Sequence, residues 1–144
     1  MLVSLVKEYD SDKVSLLAFD PVNSDGWKKN EGTLNDSLGY GYTVTLPYLI
    51  VSEWSCAEYY TNQNYSKLKF KIASHEEMGQ ENKSQIKIYA DDILVFTSPE
   101  FDRKTESESF IVDINNAKFI KIECVQTAGY GNSNLLFLDS TLEK

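Results

Sequence analysis

His75 is the only histidine in the chain, and it stands beside Glu76 and Glu77. That trio could relay a proton or ligate a metal. It falls in the polar run Ser74 to Ser84, and polar runs between apolar segments become surface loops. A solvated histidine is therefore the expected reading. Paired carboxylates could cleave a glycosidic bond, but with 22 Asp and Glu in 144 residues, closeness in sequence singles out no pair. No nucleophile motif accompanies them. The expectation is a protein that is not an enzyme, with no catalytic residues.

Metal chemistry has one other candidate. Asp20, Asp25, Glu31, Asn35 and Asp36 lie in or beside the stretch Asn23 to Gly41, which Gly26, Gly32 and Gly39 punctuate. This stretch reads as a long polar loop, and oxygen-rich loops can hold calcium. The spacing does not match a helix–loop–helix calcium motif, so turn residues are the favoured reading over a structural calcium site. Whether a metal binds is left open by the residues, and no cofactor is expected. Cys56 and Cys124 have no CxxC partner and read as two buried thiols; whether they are bridged is open.

Binding chemistry has more to work with. A sugar offers C–H faces for aromatic rings and hydroxyl edges for amides and carboxylates. Trp27 lies near Asp25 and Asn30. Tyr40 and Tyr42 follow Asn35, and Tyr130 precedes Asn132 and Asn134. Trp27, Tyr40, Tyr130 and Asn132 are the candidate ligand-binding residues. Trp54, in a strand-like run, reads as a core residue instead.

These residues need a scaffold, and the clearest part of it is Lys83 to Glu100. Ile86 and Ile88 alternate with Gln85, Lys87 and Tyr89, the period of a half-buried strand. Ala90-Asp91-Asp92 suits a tight turn, and Ile93 to Phe96 resumes an apolar run that Ser98-Pro99 closes. This is a hairpin whose second strand is expected to be the more buried. Elsewhere Leu68, Phe70 and Ile72 alternate with lysines, and Ile120, Ile122 and Cys124 with Lys121 and Glu123. Further strands are expected at Val14 to Phe19, Tyr40 to Val51, Trp54 to Tyr60, Phe110 to Ile114 and Leu135 to Leu138. Met1 to Val6 fits an edge strand or a short helix. Eight or nine short strands without an amphipathic helix point to an all-β, antiparallel β-sandwich in a single domain spanning 1–144.

The same hairpin carries a family resemblance. Strand, Tyr89-Ala90-Asp91 turn, apolar strand and Ser98-Pro99 resemble the central signature of the NPCBM family, the novel putative carbohydrate-binding module. The likeness continues through Tyr59-Tyr60, Asn64 to Leu68, Phe110 to Asp113 and Lys118 to Glu123, covering about Phe19 to Leu142. It implies a jelly roll of the galactose-binding-like kind, found beside bacterial glycoside hydrolases, with carbohydrate as ligand. The chain also departs from the family. Where sugar-binding members carry a glycine–histidine signature, it has Leu49 to Glu53. Where they carry an Asp-rich loop and a tryptophan, it has Asn132-Ser133-Asn134 and Leu136-Phe137-Leu138, and Ala90 replaces the glycine of the central turn.

The formal net charge of −8 repels phosphate backbones and anionic lipids, so neither nucleic acid nor membrane is an expected partner. Neutral glycans are not disfavoured. The expected function is a non-catalytic module that binds a neutral glycan through loops at one end of the sandwich; the alternative is a protein-interaction module that has lost the sugar site. The start, MLVSLVKEYDSDK, has no basic lead, and Lys7 and Glu8 interrupt its apolar run. As given, the chain reads as cytoplasmic or as a domain excised from a longer exported protein.

Overall fold

The computed structural model describes residues 12–144; within two strands the side chains at 26–28, 31–33, 42–47 and 53 lie outside the description, as does the expected element at Met1 to Val6. Nine strands occur among the described residues: β1 (Lys13–Ser15), β2 (Asn23–Asn35), β3 (Gly41–Tyr60), β4 (Lys67–Ser74), β5 (Lys83–Ala90), β6 (Ile93–Thr97), β7 (Glu108–Asp113), β8 (Phe119–Ala128) and β9 (Leu135–Glu143). One short 3-10 turn, Leu16–Ala18, interrupts the strand expected over Val14 to Phe19. All the pairings are antiparallel, in the order β6-β5-β8-β3-β9-β4-β7, with β1 on β9 and β2 on β3.

Strand β3 makes this ladder a sandwich. Its later part, Ser55 to Tyr60, pairs with β8, and its earlier part, Leu49 to Val51, pairs with β9. The change of partner falls at Ser52 to Trp54, where Trp54 adopts φ 60° and the Ser55 hydroxyl donates to the Ser52 carbonyl. One sheet therefore runs β3-β8-β5-β6 and the other β3-β9-β4-β7, an antiparallel jelly roll as expected.

Alternation fills the space between the sheets. Leu68, Phe70 and Ile72 of β4, Ile86 and Ile88 of β5, and Ile120, Ile122 and Cys124 of β8 all join one buried cluster. Burying a side chain of this size stabilises the fold by roughly 1.5–3 kcal/mol. Away from β3 the sandwich ends in two edges, β6 and β7. Phe70 stacks on Phe137 at 4.7 Å and meets Phe96 and Phe110 at 5.6 and 5.7 Å, which closes the core between those edges.

Several expectations are corrected. The polar stretch Asn23 to Gly41 is mostly not a loop: Asn23–Asn35 is a strand paired along β3. Backbone pairing with β3 outweighed the local turn preferences of its Gly, Asn and Asp residues. The arm formed by β2 and β3 lies over the outer side of β4 and β9, where Leu34 and Tyr48 bury Ala73, Leu136 and Leu138 in a second apolar cluster. That explains why β9 begins with four consecutive buried residues. Within the central hairpin, β5 rather than β6 is the buried strand. β5 lies between β8 and β6, whereas β6 is an edge with Ile93 and Leu94 exposed. Cys124 faces the core opposite Ser55, so Cys56, one residue on, faces the other side, and the two are not bridged by a disulfide.

Candidate functional site

The strand directions sort the connections into two sets. At one end lie the tight turns 61–66, 91–92 and 114–118. At the other lie the β2–β3 tip (36–40), the β3 kink (52–54) and the longer loops 75–82, 98–107 and 129–134. This second end holds most of the polar and aromatic groups singled out above.

Side chains tie its loops together. The Ser37 hydroxyl donates to the Arg103 carbonyl at 2.7 Å, and Ser74 to the Asp102 carbonyl at 2.7 Å. Arg103 Nη1 donates to the Met78 carbonyl at 2.6 Å, pinning the 75–82 loop from beneath. Asp102 accepts from the Lys104 backbone and the Thr105 hydroxyl, at 2.8 and 2.9 Å. These bonds, the first being the strongest, hold its carboxyl below the usual carboxylate range, with Lys83 adding to the effect. A groove of about 390 Å³ remains between Ser37, Leu38, Gln80, Glu81, Arg103 and Lys104.

Tyr130 occupies the tip of the 129–134 loop and is 96% exposed. Asn132 is only partly exposed. Its Oδ1 accepts the Asn134 backbone N–H at 3.1 Å, and its carbonyl accepts from Gly79 N at 2.9 Å, so it anchors the loop. Tyr40 lies on a different loop, the β2–β3 tip. There the Asp36 carboxylate accepts the backbone N–H groups of Leu38 and Tyr40 at 3.0 and 2.9 Å. Tyr40 borders a shallow depression with Gly41, Glu106 and Ser107. Tyr40 and Tyr130 thus share an end but not a loop, with the 75–82 loop linked to both neighbours through the Asp36–His75 bridge and the His75 N to Asn134 carbonyl bond. Trp27 is mid-strand in β2, paired with Val51 rather than placed in a loop; its side chain falls outside the described residues.

His75 is a structural brace, its Nδ1 accepting the Glu77 backbone N–H at 3.1 Å. The oxygen-rich residues considered for calcium are strung along and beside β2, where about 3.3 Å per residue separates them. Among the described residues no group of three or more His, Cys, Asp or Glu side chains is placed to hold a metal.

Trp54 is the residue that pattern reading placed wrongly. It is 66% exposed, in the kink of β3, with φ 60°. An alternating strand pattern cannot reveal a change of sheet, because the kink is set by pairing with two different partners. The only local signal was a bulky aromatic among Ser52, Glu53 and Ser55. Its neighbours pair with Cys124 of β8 and Leu135 of β9, the strands that the Tyr130 loop connects. Trp54 and Tyr130 therefore lie at the same end of the sandwich.

Comparison with known proteins decides the family. A sequence model of the NPCBM/NEW2 domain matches residues 49–141. The chain belongs to the NPCBM/NEW2 domain family. Solved structures share the fold. One is the CBM51 module from Clostridium perfringens GH95 in complex with methyl-galactose, at TM-score 0.73 and 16% identity over 90% of this chain and 99% of that one. Another is the tandem CBM51 modules of the family 98 glycoside hydrolase from Streptococcus pneumoniae, at 0.77 and 11% over 92% of this chain and 47% of that one. CBM51-2 of Clostridium perfringens ZmpB, in complex with GlcNAc and joined to INT domains, gives 0.75 and 16% over 92% of this chain. The NPCBM/NEW2 chain spans 31% of that protein and 15% of a larger ZmpB structure that includes the M60 catalytic domain. No curated protein matches its sequence. The NPCBM/NEW2 domain shares the fold of these carbohydrate-binding modules. No helix among its described residues is long and apolar enough to cross a membrane.

Proposed function

We propose that this NPCBM/NEW2 domain binds a neutral glycan at the loop end of the sandwich, with Trp54 and Tyr130 as the aromatic platform. The observation that carries this reading is the state of Trp54. A non-glycine residue with φ near +60° costs of order 1–3 kcal/mol, and exposing an indole to water forgoes its burial. Neither cost serves the core, and Tyr130 is displayed at the same end. Stacking on these rings, with hydrogen bonds from loop amides such as Asn132 and from Tyr40 at the adjoining tip, would tether the domain to its glycan without breaking a bond.

A glycan array read alongside titration with methyl-galactose and GlcNAc tests this. Reproducible binding that Trp54→Ala and Tyr130→Ala each reduce at least tenfold is the expected result. Silence across neutral glycans, or binding indifferent to both substitutions, counts against it. The protein-interaction reading has its own support in Ile93 and Leu94 on edge β6 and Ile111 on edge β7, all exposed. Apolar edge strands are a ready surface for strand addition. Concentration-dependent association lost in Leu94→Lys would favour that role.

A further inference from the structure

We propose that Asn82 is the positioning residue of the binding end, its buried carboxamide fixing the 129–134 loop so that Tyr130 meets ligand in one orientation. This rests on the glycan-binding reading and adds the group that prepares the site.

Asn82 is 3% exposed and spends its side chain on backbone some fifty residues away. Nδ2 donates to the Tyr130 carbonyl at 2.9 Å and to the Asn132 carbonyl at 2.6 Å. Oδ1 accepts the Tyr130 N–H at 3.2 Å. The carboxamide thus holds both polar backbone groups of Tyr130, as a neighbouring strand would. The Asn132 carbonyl is held a second time by Gly79 N.

The glycines show that the loop is built around this amide. Both Gly129 and Gly131 have positive φ, 86° and 73°. A Cβ on Gly131 would meet nothing within 4 Å, whereas one on Gly129 would lie 1.9 Å from Asn82 Oδ1. Gly131 answers a backbone requirement; Gly129 also leaves room for the carboxamide. The outcome is a fully exposed tyrosine on a backbone fixed from below. Ordering a loop on binding subtracts from affinity, and a loop ordered beforehand avoids that loss.

Asparagine suits the task because it offers two donors and one acceptor in a plane. Aspartate keeps the shape but turns both donors into acceptors facing two carbonyls. The test uses the whole chain as wild type, Asn82→Ala, Tyr130→Ala and the double variant, with Asn82→Asp as the near-isosteric substitute if Asn82→Ala does not fold. Two readouts are taken: amide hydrogen exchange at Tyr130 without ligand, normalised to amides of β5, and affinity for methyl-galactose, GlcNAc and the tightest array glycan.

The expected result is exchange at Tyr130 at least tenfold faster in the Asn82 variants, affinity at least tenfold weaker, and a double variant no weaker than Tyr130→Ala alone. Losses that multiply in the double variant would show that Asn82 does not act through Tyr130 and would overturn the proposal. So would unchanged exchange at Tyr130. Faster exchange in a protein whose wild type binds no glycan would instead sink the carbohydrate reading, and the recognition role of Asn82 with it, leaving a loop brace.

Discussion

The two ends of this sandwich reverse the chain by different physics. At the turn end, pairs of residues with positive φ do the work: Asn62 and Gln63, Asp91 and Asp92, Asn115 and Asn116. Asn and Asp tolerate this conformation, and paired positive φ values match the twist of a hairpin. The Asp91 carboxylate adds a tie between two turns, accepting from the backbone N–H groups of Lys118 and Phe119. At the loop end the reversals are held from inside. Of the nine buried polar side chains among the described residues, seven lie there: Asp36, Ser55, Ser74, Asn82, Ser84, Ser98 and Ser133. Several bind backbone far along the chain, as Ser84 does at the Ser133 carbonyl and Ser74 at that of Asp102. The turn end relies on turn residues and backbone bonds, with a few side-chain ties such as Thr61 to the Ala117 carbonyl, whereas the loop end relies chiefly on buried side chains. Exposed binding groups need the second kind of support, because a displayed side chain contributes nothing to holding its own backbone.

The contrast can be broken first at Gly129. Gly129→Ala imposes both positive φ and a collision with Asn82 Oδ1, and is expected to cost roughly 2–3 kcal/mol in urea unfolding. A cost below half a kilocalorie would mean that the loop end tolerates rearrangement and is not specified by its clamps.

A smaller effect should come from acid. The Asp102 carboxyl titrates below its ordinary value of about 3.9 because the folded loop stabilises the carboxylate. Its contribution is therefore complete above that ordinary value and is lost as pH falls through the lowered one. Exchange of the Lys104 and Thr105 amides should accelerate below about pH 3.9 while turn-end amides stay protected. Asp102→Asn should remove that pH dependence. Equal acceleration at both ends would indicate global acid unfolding instead.

The smallest effect belongs to the turn end. Asp92→Gly keeps φ 67° accessible and removes only the strain of a side chain there, so stability should change by no more than about 0.5 kcal/mol. A larger loss in thermal unfolding would show that Asp92 contributes more than its turn conformation.

How much was legible in the residues follows the same division. Alternation at Leu68, Phe70 and Ile72, and at Ile120, Ile122 and Cys124, placed the inner faces correctly because period two is a property of the strand itself. The Asp91-Asp92 turn was readable for the same local reason. Misread were the polar strand β2, whose partner is β3, and edge β6, whose exposure depends on having no second neighbour. The candidate site was half visible. Tyr130 and Asn132 stood out in a glycine-flanked loop, while Trp54 looked like core and Asn82 like a loop residue of no note.

The sequence by itself determined that this chain is an antiparallel β-sandwich of the NPCBM kind, because strand period, turn chemistry and family signature are all local patterns. Only the tertiary structure decided that β3 changes sheets at Trp54 and that Asn82 reaches the backbone beneath Tyr130. Both facts are pairings between distant segments, and no short-range pattern encodes which remote partner a strand or an amide will find.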